Sequence, residues 1–125
     1  MDLEKGLYTE LSALNASVYP VMAPQNTPAP YIIYTLSNNK RLEVLTGVVG
    51  LVETMYEIEV YGATYTETKD LAASIVHLLQ TLEGSAIGTT TTWIQQVTIE
   101  NEIDMYEPET RIYRHMIEIT IYYEE

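Results

Sequence analysis

From Arg111 to Tyr123 the chain alternates without a break, and no other stretch limits the possible folds so tightly. Tyr113, His115, Ile117, Ile119, Ile121 and Tyr123 fall on one side, and Arg114, Met116, Glu118, Thr120 and Tyr122 on the other. A period of two held this long, in residues rich in Ile, Tyr and Thr, predicts a half-buried strand. Trp93 to Glu100 reads as its partner, with Trp93, Val97 and Ile99 on one face. Glu107-Pro108-Glu109-Thr110 reads as the turn between them. Two strands do not stand alone in water, so the upstream residues must add strands and a helical cover.

Two helices are predicted. Near the N-terminus, Leu3, Leu7, Leu11 and Leu14 repeat at helical spacing behind Asp2 as a cap. Gly6 costs this helix about 1 kcal/mol relative to Ala, so it depends on docking. The second helix opens at Thr64-Tyr65-Thr66-Glu67, a capping box, and carries Leu71, Ile75, Leu78 and Leu82 before Gly84.

Between the helices, four of the five prolines punctuate residues 19 to 30, which predicts extended, PPII-like chain rather than a linker between domains. Tyr31 to Leu36 is apolar on both faces and predicts a buried strand; Ser37-Asn38-Asn39 then reads as a turn. Lys40 to Thr46 and Leu51 to Tyr61 read as a hairpin with Gly47-Val48-Val49-Gly50 at its tip. Its second arm sorts Val52, Tyr56, Ile58 and Val60 to one face, against Glu53, Met55, Glu57, Glu59 and Tyr61. The expected fold is α+β: an antiparallel sheet of about four to five strands with two helices packed on one face, residues 1 to 125 forming one domain.

Chemistry is harder to find. Eighteen acids against six bases leave a net charge of −12, which argues against binding a phosphate backbone. Without cysteine there is no disulfide or thiolate metal site. No secretory signal and no membrane-length apolar run appear, so the chain is expected to stay where it is made. His77 sits on the polar side of the second helix and His115 on the inward side of the last strand, with no metal-ligand spacing between them. Glu53, Glu57 and Glu59 line one strand face, and Glu100, Glu102 and Glu118 are expected nearby, an arrangement most simply read as a solvated sheet face. No nucleophile elbow, phosphate loop or dinucleotide fingerprint is present. The sequence predicts no catalytic residue, no cofactor and no metal.

Three stretches carry a resemblance. Tyr19-Pro20 with Ala23 to Tyr34 is similar to the proline-punctuated approach to the first strand in the tail-completion, or tail-terminator, proteins of long-tailed bacteriophages and prophages. Tyr56 to Glu67 resembles that family's strand-to-helix junction, and Asp104 to Arg114 its closing turn. The family often has Gly where this chain has Asn26, and Trp or Phe where it has Tyr122-Tyr123. The resemblance implies a ring, typically of six copies, on the head-proximal end of the tail tube, which stops tube growth and joins tail to head. The implied partners are further copies of the chain, the major tail tube protein and the head-closure or connector proteins. Genome DNA would pass without specific binding, and no membrane, cofactor or active site is implied. A head-closure or adaptor protein of the neck, or a non-viral protein-binding α+β module, fits the same local reading.

Two further expectations build on that resemblance. Glu53, Glu57 and Glu59 would face the channel and repel DNA. Gly47, Val48, Val49 and Gly50, with Met116 and Tyr122 as lesser candidates, would meet a neighbouring subunit or the tube.

Overall fold

The structure is a computed structural model that describes residues 2–14, 17–44 and 47–124, with the side chains of residues 42–44 and 47–50 outside that description. Helix α1 (Asp2–Ser12) leads into strand β1 (Ser17–Pro20), then β2 (Tyr31–Val44) and β3 (Gly47–Gly62). Helix α2 (Tyr65–Thr81) follows, then the short β4 (Ser85–Ala86) and the long hairpin β5 (Trp93–Glu107) and β6 (Ile112–Glu124). The strands form one sheet in the order β1-β2-β3-β6-β5-β4.

This sheet has six strands, not four to five, and it is mixed, because β1 pairs parallel to β2. The extra strands are short edge pieces of four and two residues, too brief to show periodicity. Both helices pack on one face, as expected. Leu3, Leu7 and Leu11 of α1 and Ala72, Ile75 and Leu79 of α2 share one core with a single phase of each long strand. From β3 that phase is Val52, Tyr56, Ile58 and Val60; from β6 it is Ile117, Ile119, Ile121 and Tyr123. Full burial of one such side chain contributes about 1.5–3 kcal/mol, so this layer dominates stability.

Ser37-Asn38-Asn39 is not a turn. Strand β2 runs straight through it, with a register shift between Leu36 and Asn38, and the Ser37 hydroxyl donates to Met55 O at 3.0 Å. Pairing with β3 on both sides outweighs the local turn preference, and the surplus residue becomes a bulge. The Gly47–Gly50 segment is likewise not a hairpin tip. It lies in β3, with Gly47 opposite Val44 and Val48 opposite Glu43. The residues joining the two strands, Leu45 and Thr46, lie outside the described residues.

A bulge also corrects the face of Trp93. Strand β5 shifts register between Ile94 and Gln96 and again between Ile99 and Asn101. Ile94 therefore enters the core with Val97, while Trp93 turns to the other face and is 43% exposed.

Gly6 is where α1 docks. A Cβ there would lie 2.6 Å from Ile87 Cγ2, and one on Gly88, at φ +58°, would lie 2.8 Å from Gly6 Cα. The helix meets the loop before β5 at backbone distance, which only glycine permits. At α2, Thr64 Oγ1 accepts from Glu67 N–H at 3.1 Å. The reciprocal half of the capping box is not made, and Glu67 Oε1 is buried without a partner.

Candidate functional site

Among the described residues both helices lie on one face and leave the sheet's other face uncovered, and the sequence-predicted interaction residues distribute over it. Glu53 and Glu57 stand on it in β3, opposite Tyr122 and Glu118 of β6. The Glu57–Glu118 juxtaposition sets two carboxyl groups directly across a strand pair, which is destabilising unless water or a partner relieves it. Glu100 joins this face, accepting from the Thr120 hydroxyl at 3.0 Å. Met116 and Tyr122 lie half-buried among these acids.

Glu59 is different. Its Oε1 accepts from Arg114 Nη2 at 2.8 Å and its Oε2 from the Tyr61 hydroxyl at 2.5 Å. Burial and then the hydrogen bond to Glu59 push the Tyr61 phenol above its ordinary range. Tyr31 stacks on Tyr61 with ring centroids 4.6 Å apart, and the Arg114 guanidinium lies 5.6 Å from the Tyr61 centroid. The acidic row is therefore neutralised at this end and remains acidic toward Glu53.

Glu102 does not belong to this face. It and Asp104 project to the helix side of β5 and grip His115 from both ends. His115 Nδ1 is 2.5 Å from Asp104 Oδ1, and Nε2 is 2.9 Å from Glu102 Oε1. Each carboxyl thus stands within hydrogen-bond distance of one ring nitrogen, and the two bracket the imidazole. The His115 ring is buried, whereas the two carboxylates are nearly half exposed. Lys69 of α2 completes the group at 3.1 Å from Asp104 Oδ2. The hydrogen bond from His115, reinforced by Lys69, holds the Asp104 carboxyl below the usual carboxylate range.

Beside this cluster, Tyr65, Tyr106 and Tyr113 make an aromatic shelf, with Tyr106 and Tyr113 centroids 4.7 Å apart. Sequence reasoning placed His115 inward but missed its partners. The second bulge moves Glu102 and Asp104 onto its face, and no alternation pattern announces that shift. The two carboxylates approach the ring from opposite sides, so they do not converge on one point. Among the described residues, no three His, Asp or Glu side chains are placed to hold a metal. His77 is exposed on α2, as its helical phase predicts. The side chains of Val48 and Val49 lie outside the described residues. The backbone shows that Gly47 and Val48 pair with β2, and among the described residues the β6 ladder runs to Leu51.

The sequence model of one family, tail completion protein gp17, matches residues 8–124. Among solved structures, a chain from the virion of a native gene transfer agent particle superposes with a TM-score of 0.70 at 16% identity, over 99% of this chain and 96% of its own. A second solved chain matches with a TM-score of 0.56 at 15% identity, over 98% of this chain and 89% of its own. At these identities the two structures attest the fold. No curated protein matches the sequence.

Proposed function

This chain belongs to the tail completion protein gp17 family, and we propose that its copies close into a ring of six on the head-proximal end of the phage tail tube. As a family member it is a structural component of the phage tail. In the proposed ring it stops tube growth and offers the surface to which the filled head attaches. The observation that carries this reading is the family match across nearly the whole chain, residues 8–124.

In this ring the open face of the sheet lines the channel. Glu53, Glu57, Glu100 and Glu118 then face the genome, while Glu59 is held by Arg114. Six copies at −12 each carry −72, and a wall that repels phosphate lets DNA slide without sticking. The arm of β2 and β3 that carries Gly47 and Val48 reaches the tube or the neighbouring subunit.

The decisive experiment is electron microscopy of particles produced with this reading frame stopped early. Filled heads without tails beside overlong or frayed free tails are expected. Tails of normal length with leaking heads would transfer the protein to the head side of the neck, and unaltered virions would sink the proposal.

A further inference from the structure

The two long outer strands of the sheet are each covered at one end only. Strand β1 pairs with Tyr31–Tyr34 of β2, and β4 pairs with Trp93 and Ile94 of β5. Among the described residues, β2 from Thr35 to Val44 pairs only with β3, and β5 from Gln95 to Glu107 only with β6. At the start of the β5 edge, Val97 N–H turns outward and is met by a side chain, Glu83 Oε1, at 2.9 Å. Beyond it runs a row of main-chain groups of the kind that templates a further strand.

These two edges complement one another in charge. On the β2 edge stand Lys40 and Arg41, both exposed and the only adjacent basic pair in the chain. The β5 edge carries Glu100, Glu102 and Asp104, all exposed, and Trp93–Glu107 contains no base. They also complement one another in direction. Strands β2, β3, β6 and β5 are successively antiparallel, so β2 and β5 run opposite ways. A second copy that continues the sheet in the same orientation sets its β2 antiparallel to the first copy's β5.

We infer that copies of this chain join head to tail by pairing the free edge of β5 on one copy with the free edge of β2 on the next. This rests on the ring proposed above and names the contact that builds it. The covers bound the register: β1 bars pairing before Thr35, and within that bound the register that brings Arg41 opposite Glu102 lays β5 from Ile99 to Glu107 along Leu36 to Val44 of the next copy. Arg41 then falls opposite Glu102, Lys40 opposite Ile103 and Glu43 opposite Glu100, so the attraction across the seam centres on Arg41 and Glu102. A heterologous contact of this kind closes into a ring when its rotation closes. The paired charges offset, at the contact itself, the repulsion between chains of −12 each.

The chain has no cysteine, so a designed disulfide reads this contact directly. In the Arg41→Cys/Glu102→Cys double variant, oxidation is expected to give a ladder of cross-linked multimers on a denaturing gel, with each single variant staying monomeric. A second test does not depend on disulfide geometry. Arg41→Glu copies and Glu102→Lys copies should each lose at least tenfold in assembly, while an equal mixture restores it through alternation. Rings seen by microscopy without a ladder, and unaffected by either charge reversal, would overturn the edge contact and leave the ring standing. A ladder without closed rings would overturn the ring and leave the edge contact standing. Absence of both would overturn both.

Discussion

In the half of the β5–β6 hairpin next to β4, the inward positions are Ile94, Val97, Ile119, Ile121 and Tyr123, all buried in the main core. In the half next to the turn, the same inward phase carries Glu102, Asp104, Tyr106, Tyr113 and His115. One ladder thus holds an apolar packing at one end and a charged cluster at the other. Burial in the first half is driven by area removed from water, which is indifferent to partner geometry. In the second half, His115 is buried only because two carboxylates and their solvent contact meet its ring nitrogens. The two ends should therefore respond differently to substitution, to pH and to salt.

The largest contrast comes from the apolar half. Ile119→Ala removes a fully buried side chain and should cost about 2–5 kcal/mol in denaturant unfolding. His115→Leu, in the charged half, keeps an inward apolar body but strips both carboxyls of their ring partner. Because Glu102 and Asp104 still reach water, a smaller loss of about 1–2 kcal/mol is expected. If His115→Leu costs as much as Ile119→Ala, or stabilises the protein, the contrast between the two halves is broken.

Titration sharpens it further. The folded-state pKa of Asp104 is depressed, so its contribution is present above the ordinary aspartate range. It is lost as pH falls from about 4 through the lowered value. The stability of the wild type should drop with a steeper acid limb than that of Asp104→Asn, and Ile119→Ala should keep the wild-type slope. Identical limbs in wild type and Asp104→Asn would mean that the cluster contributes nothing to acid sensitivity. The smallest effect is expected from Lys69→Met. It removes a half-exposed ion pair worth about 0.5 kcal/mol or less, and that difference should vanish in high salt.

The alternation of β6 was legible in full, since that strand pairs on both sides without interruption of its own phase. The stripe of α1 and the Thr64 cap were legible for the same reason: each is decided within one or two turns of chain. The bulges were not. A surplus residue at Gln95 or Ser37 is chosen by the partner strand, and local composition points elsewhere, toward a turn at Asn38-Asn39 and an inward Trp93. Gly6 read as a weakness, and its use became visible only where Gly88 packs against it. The acidic row was legible as a row, but the departure of Glu59 into a pair with Arg114 depends on a residue 55 positions away.

The paired slips in β5 carry a consequence for how such a gene can change in length. Inward positions are Ile94, then Val97 and Ile99, then Glu102 and Asp104, so the second slip restores the parity that the first one broke. Losing one codon at Gln95 or Glu100 would remove a bulge and leave each flanking segment facing as before. Losing one codon at Thr98, between the bulges, would invert a buried segment and expose its apolar face. Tolerance of single-codon deletion in this strand should therefore be concentrated at two sites and absent between them.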